Sequence, residues 1–177
     1  MPGHASAAVA SYPIFGSSTQ PIKVPVKFGI GEVIFNPASP KTITFIQDVL
    51  KEVSDLFPGD IIHIGGDEAK YDLWKTNDDV RSLMKKNQLE NYSDVQVYFT
   101  NNVSDYINTV LGKRMMGWNE IMGNNLHYWG DDEDNATTKL SEDAIIHFWK
   151  GGLDNLKTAI DAGHDLVNSD HNYTYLD

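Results

Sequence analysis

Apolar residues recur at helical spacing in the stretch SPKTITFIQDVLKEVSDLFPG, residues 39–59. Repeats of three and four residues place them on one face of a helix. Ser39 is suited to the N-cap and Pro40 to the first turn, and Pro58 with Gly59 is expected to end the helix. The apolar face comprises Ile43, Ile46, Val49, Leu50, Val53, Leu56 and Phe57.

Short β-rich runs bounded by turn residues indicate buried strands. The predicted strands are DIIHIGG, KRMMGW, DAIIHFW and DLVNS, which begin at residues 60, 113, 143 and 165. A helical region at 78–111 is expected to form two helices broken near ENYS, and a short amphipathic helix is expected to end at Gly163. The sequence before residue 39 looks like loop only.

Strands that alternate with helices imply a parallel sheet with crossover helices. Each predicted strand is followed by polar or aromatic residues, and parallel sheets and (β/α)₈ barrels keep their sites at these strand ends. A barrel has eight strands and typically about 250 residues. We therefore predict an α/β fold, an incomplete (β/α)₈ TIM barrel of about four βα units.

Composition narrows the possible partners. The chain has 177 residues, 41% of them hydrophobic, which suits one globular domain. A net charge of −11 argues against nucleic acid and anionic membranes and favours a neutral substrate. The absence of cysteine excludes disulfides and thiolate sites. No apolar run is long enough to span a membrane and no signal peptide is evident, so localisation stays open, although a full-length relative is expected to be exported.

The acidic pair Asp67 and Glu68 directly follows two glycines at the end of the first predicted strand. One interpretation is local: Asp67 caps the next helix and Glu68 lies in its first turn. The other is that the glycines turn both carboxylates toward a ligand. Trp118 and Trp149 favour the second interpretation, because both follow predicted strands and a large ring there suits stacking on a sugar.

The strings PGHA, HIGGDE, GWNEI, FWKGG and YLD occur in this order along the chain. Together they resemble the catalytic barrel of the β-N-acetylhexosaminidases, family 20 of the glycoside hydrolases, over essentially the whole chain. The resemblance implies substrate-assisted retaining hydrolysis of N-acetylhexosamine-terminated glycans or chito-oligosaccharides. It implies neither a metal nor another cofactor.

The resemblance also implies roles for the residues that match its motifs. Glu68 would be the general acid and then the general base, while Asp67 would accept the N–H of the substrate's acetamido group. Tyr175 would donate a hydrogen bond to the acetamido carbonyl as that oxygen attacks the anomeric carbon. An ionised neighbour favours retention of a proton on the other carboxyl group, which suits this division of labour.

Five further residues would bind the sugar or support the site. By the same resemblance, Trp118 and Trp149 would wall the pocket and Asp177 would bind sugar hydroxyls. His4 would lie behind Glu68 in a hydrogen-bond network, and Glu120 is a candidate supporting residue. The family's barrel also has an arginine before PGHA and a tryptophan and an acid after YLD that this chain does not contain. The resemblance therefore implies that residues 1–177 are a partial catalytic domain, truncated at both ends, and the chain alone is expected to have little or no activity.

Two other function classes remain open at this point. A metal-dependent hydrolase would use His4, His63, Asp67 and Glu68 as ligands, since imidazole and carboxylate groups suit several divalent metals. His63 is otherwise expected to be structural, facing the barrel interior or the helix layer. A carbohydrate-binding remnant without catalysis would retain the aromatic residues and lose its activity.

Overall fold

The computed structural model of the protein describes residues 1–18, 20–124, 126–127 and 135–176. The helices within these ranges are α1 (Ser6–Ser11), α2 (Pro40–Leu56), α3 (Asp72–Lys75), α4 (Asp78–Asn87), α5 (Tyr92–Thr109), α6 (Leu153–Asp161) and α7 (His171–Thr174). The strands are β1 (Ile61–His63), β2 (Arg114–Trp118), β3 (Ile145–Phe148) and β4 (Leu166–Asn168). Two 3₁₀ turns, Pro13–Phe15 and Asn119–Met122, complete these elements.

The four strands form one parallel sheet in the order of the sequence. His63 pairs with Met116, and Trp118 pairs with His147. Because paired residues of parallel strands point to the same side, one face of the sheet carries His63, Trp118 and His147 together. The predicted incomplete (β/α)₈ barrel is confirmed, and all four strands end at the same edge of the sheet.

The main core lies between the sheet and its outer helices. Ile62, Met115 and Ile146 project from neighbouring strands into a buried cluster that also contains residues of α2 and α5. Burying one side chain of this kind fully contributes roughly 1.5–3 kcal/mol. This packing holds the strands in register, so that the opposite face and the strand ends remain available for a site.

The segment before residue 39 was expected to be loop only, and that prediction is wrong. It contains α1, the Pro13–Phe15 turn and an antiparallel bridge between Gly16 and Phe35. The sequence SAAVAS is too short to show a helical repeat, yet Val9 is completely buried in the main core. Tertiary packing therefore stabilises a helix that propensity alone does not predict.

The prediction for α2 is confirmed, because Ser39 caps its N-terminus and Pro40 is its first residue. The two helices predicted within 78–111 are also present, as α4 and α5. The expected apolar face of α2 is only partly covered, however. Leu56 and Phe57 remain 74% and 65% exposed, whereas Ile46 and Leu50 are buried.

Hydrogen bonds of Asp94 join the start of α5 to the segment that contains Thr137 and Thr138. Asp94 forms a capping box with Asn91, and its carboxylate accepts hydrogen bonds from the main-chain N–H groups of Glu90, Thr137 and Thr138 at 2.9, 2.7 and 2.6 Å. Burial opposes the charge, but these main-chain donors outweigh burial and lower the pKa of Asp94 below its ordinary value of 3.8.

We expect Asp94→Asn to lower the free energy of unfolding by roughly 2 kcal/mol at neutral pH, because an amide N–H would face buried N–H donors. A depressed folded-state pKa means that the charge stabilises the fold fully above the ordinary value and loses this effect as pH falls through the folded value. Denaturant titrations at several pH values check this. Asp105→Asn, at an exposed position of the same helix, is the control, and an equal loss in both variants would contradict the role of Asp94.

Candidate active site

The carboxylate pair lies on a turn that begins after β1. Gly65 and Gly66 have φ angles of +73° and +100°, a region that favours glycine. A Cβ on Gly66 would also lie 2.2 Å from Cγ2 of Ile121, so only glycine fits there. The next helix begins at Asp72, so Asp67 does not cap it, and the interpretation of the pair as a helix start is wrong.

His4 touches both carboxylates. Its Nε2 lies 3.0 Å from Oδ2 of Asp67 and 3.4 Å from Oε2 of Glu68. His4 and Glu68 both have φ angles in the left-handed region, +53° and +54°. Such backbone costs on the order of 1–3 kcal/mol for residues other than glycine and clusters at functional sites.

Aromatic side chains from the following strand ends face this acidic group. The rings of Trp118 and Trp149 lie 6.2 Å apart at 62°, and Trp149 stacks with Tyr175 at 6.4 Å. A cavity of about 480 Å³ is lined by His4, Asp67, Glu68, Trp118, Trp149, Lys150, His171 and Tyr175. The structure thus brings six of the seven predicted site residues to one cavity, while Asp177 lies outside the described residues.

Lys150 and His171 also line the cavity, although the sequence did not single them out. Lys150 directly follows Trp149 in the FWKGG string, so adjacency was the available signal. His171 belongs to α7, a helix too short to predict, and its Nδ1 lies 2.9 Å from the carbonyl oxygen of Trp149. Its ring also makes edge contacts with Trp149 and Tyr175.

Gln96, in the helix layer, links the turns after β1 and β2 by hydrogen bonds. This buried residue of α5 donates from Nε2 to the carbonyl oxygens of Gly66 at 2.7 Å and Glu120 at 3.4 Å. Its Oε1 accepts from the hydroxyl of Tyr71. Because the two carbonyl oxygens can only accept, Nε2 must face them, which fixes the amide orientation of Gln96, and both turns are held by one side chain.

A chain of imidazoles crosses the sheet beneath Trp118. Nδ1 of His63 accepts from the N–H of Gly65, its Nε2 lies 3.2 Å from Nδ1 of His147, and Nε2 of His147 lies 2.8 Å from Oγ of Ser169. Desolvation lowers the pKa of both imidazoles, and His147 lowers that of His63 further. The neutral rings support Trp118, which contacts both of them.

The residues around the carboxylate pair also include potential metal ligands. His4, Asp67 and Glu68 can each offer one ligand atom, and these atoms lie within 4.8 Å of one another. His63, the fourth ligand considered from the sequence, is not part of this group. Both of its ring nitrogens have hydrogen-bonding neighbours, Gly65 and His147, so it is engaged elsewhere.

An acidic pair that faces aromatic rings at the carboxyl ends of parallel strands is typical of glycosidase barrels. Comparison with known proteins gives the particular family. Residues 1–177 match the catalytic domain of glycosyl hydrolase family 20. The chain belongs to this family, as its motifs predicted.

Similar proteins span greater lengths than this chain. A β-hexosaminidase of Porphyromonas gingivalis is 33% identical over an alignment of 160 residues that covers 86% of this chain and 20% of that protein. A β-N-acetylhexosaminidase from Bacteroides fragilis has 30% identity and a TM-score of 0.81, over 99% of this chain and 32% of that one. A chitobiase from Flavobacterium johnsoniae has 32% identity and a TM-score of 0.82, over 98% and 25% respectively.

None of the helices in the described part of the chain is sufficiently long and apolar to cross a membrane.

Proposed function

We propose that the protein removes terminal, non-reducing β-linked N-acetylglucosamine or N-acetylgalactosamine by substrate-assisted retaining catalysis. The observation that carries this proposal is the single cavity in which Asp67 and Glu68 face Trp118, Trp149 and Tyr175. Relatives named β-hexosaminidase and β-N-acetylhexosaminidase support it. The net charge of −11 supports a neutral glycan rather than a nucleic acid as the partner.

In the first step, the carbonyl oxygen of the substrate's own acetamido group attacks the anomeric carbon. The bond from that carbon to the glycosidic oxygen breaks, and Glu68 gives its proton to the departing alcohol. The product is an oxazolinium ion, whose positive charge extends to the acetamido nitrogen. Asp67 accepts the N–H of that group and stabilises this charge, while Tyr175 donates a hydrogen bond to the attacking oxygen.

In the second step, ionised Glu68 takes a proton from water, and the water oxygen adds to the anomeric carbon. The bond between that carbon and the acetamido oxygen breaks, which restores the acetamido group and the protonated Glu68. Two displacements at one carbon leave its configuration unchanged. His4, in contact with both carboxylates, is suited to hold them while Glu68 exchanges its proton.

The aromatic side chains have a binding role in this proposal. Trp118 and Trp149 enclose the acetamido methyl group and one face of the sugar ring, since broad apolar faces suit both. Asp177 binds sugar hydroxyls. A neutral substrate held by aromatic rings and carboxylates needs no cofactor for this chemistry.

We also propose that residues 1–177 are a partial catalytic domain whose barrel further βα units complete. The described residues contribute four strands, whereas a barrel has eight. Ile61 and Val167, on the first and last strands, are 48% and 39% exposed, and the end of α2 leaves Leu56 uncovered. Additional strands and helices would cover these apolar side chains.

A metal-dependent hydrolase is the second candidate, because His4, Asp67 and Glu68 cluster closely enough to share an ion. The two mechanisms differ in what a chelator does. Substrate-assisted hydrolysis requires no metal, so activity should survive prolonged treatment with EDTA. Loss of activity with EDTA, and its return on adding zinc, would favour the metal-dependent mechanism instead.

For the acid, we expect Glu68→Gln to lower kcat on the order of a hundred-fold or more for glycosides of ordinary sugar alcohols. The loss should be smaller for nitrophenyl glycosides, because a good leaving group needs little protonation. Steady-state kinetics of the native protein with both substrate types measures this difference. Glu142→Gln, at an exposed position, is the control, and equal losses for both substrate types would contradict the acid role.

For the barrel, we expect the 177-residue chain alone to release little or no nitrophenol from its N-acetyl-β-glucosaminide. The reason is that half of a barrel leaves the pocket open to water and its apolar faces uncovered. The assay compares this chain with the native gene product at equal concentration. Release by the chain alone that disappears in Glu68→Gln would show that no further units are needed.

A further inference from the structure

Two adjacent residues at the end of β2 hold the residue at the end of β3. Asn119 and Glu120 are 1% and 5% exposed, although both are polar. The side-chain oxygen of Asn119 accepts from the N–H of Trp149 at 3.1 Å, and its amide donates to the carbonyl oxygen of Lys150 at 2.9 Å. Asn119 therefore holds the main chain on which the Trp149 ring is mounted.

Glu120 binds the Trp149 ring itself. Nε1 of Trp149 donates to Oε2 of Glu120 at 2.8 Å, and this is the only hydrogen bond that an indole can donate. A hydrogen bond from the ring edge fixes the rotation of the ring, which stacking alone leaves variable. The carboxylate of Glu120 thus bears directly on the orientation of a pocket wall.

The second carboxylate oxygen of Glu120 is held by two successive hydrogen bonds that lead through His127 to the ammonium group of Lys150. Oε1 of Glu120 lies 3.0 Å from Nε2 of His127, and Nδ1 of His127 lies 3.3 Å from Nζ of Lys150. An ammonium group only donates, so Nδ1 accepts and Nε2 carries the proton that His127 donates to Glu120. The side chains of Glu120 and His127 are only 6% and 9% exposed.

The ammonium group of Lys150 also lies near the Trp149 ring. Lys150 is linked to the buried carboxylate through His127, and its Nζ lies 5.4 Å from the centre of the Trp149 ring. His127 also contacts this ring, at 6.1 Å between centroids. Buried charge is costly unless it is paired and hydrogen-bonded, and every part of this arrangement converges on Trp149.

We propose that Glu120 is a positioning residue that fixes the Trp149 ring as a wall of the sugar pocket, with His127 and Lys150 fixing Glu120 in turn. This inference rests on the proposed function, because it assumes that Trp149 contacts the substrate. Glu120 does not line the cavity and acts through Trp149.

The test is a double-mutant cycle in the native protein, with kcat/KM for an N-acetyl-β-glucosaminide as the readout. Glu120→Leu removes both carboxylate oxygens and should lower kcat/KM on the order of ten-fold or more, since a misplaced pocket wall carries losses of this size. Trp149→Phe removes the indole donor and should lower it as well. The double variant should match Trp149→Phe within about two-fold, because nothing remains for Glu120 to position.

Each outcome decides a different question. Additive losses, or unchanged activity in Glu120→Leu alongside a clear loss in Trp149→Phe, would overturn the positioning role and leave the proposed function intact. Unchanged activity in Trp149→Phe would contradict the role of that ring in the proposed function as well.

A second pair of variants covers the case in which Glu120→Leu does not fold. His127→Gln retains an N–H that can donate to Glu120, whereas His127→Leu removes it. We expect His127→Gln to retain most of the activity and His127→Leu to lose on the order of ten-fold. Equal activity in the two variants, both folded by their melting temperatures, would overturn the proposal.

Discussion

The site depends on how closely the ends of β1 and β2 approach each other. A Cβ on Gly117 would lie 2.8 Å from the carbonyl oxygen of Gly65, and that oxygen accepts from the N–H of Trp118. A Cβ on Gly66 would collide with Ile121. Only glycine at these positions allows the two strand ends to touch, and their contact brings the carboxylates beside the first aromatic wall.

This contact is supported on both sides of the sheet. Gln96 holds the carbonyl oxygens of Gly66 and Glu120 from the helix layer, and the imidazoles of His63 and His147 pack beneath Trp118 on the other face. A strained residue such as Glu68 persists only where the surrounding structure determines its conformation. Rigid support of this kind suits the catalytic role proposed for Glu68, because it holds the carboxylate in place without help from a ligand.

Much of the fold follows from local patterns in the sequence. Strand and helix alternation predicted the parallel sheet, and Ser39 with Pro40 predicted the start of α2. Helix α1 was missed because its stability comes from burying Val9 rather than from a repeat. Single-turn helices such as α7 carry too few residues to show any period, so His171 could not be assigned to the site.

The residues that line the candidate site could be predicted where a motif contains them, as for Asp67, Glu68 and Trp118. The supporting contacts were not, because they join residues far apart in the chain. Gln96 reaches a carbonyl 30 positions away, and Trp149 donates to Glu120 across 29 positions. Partners of this kind depend on register and side-chain direction, which follow from the folded sheet and not from sequence spacing.

The central claim is that the substrate's acetamido group supplies the nucleophile. The most direct measurement compares the native protein's hydrolysis of nitrophenyl N-acetyl-β-glucosaminide with that of nitrophenyl β-glucoside, which carries a hydroxyl in place of the acetamido group. We predict hydrolysis of the first and no detectable hydrolysis of the second, because the glucoside has no internal nucleophile. Comparable rates for the two substrates would contradict the account.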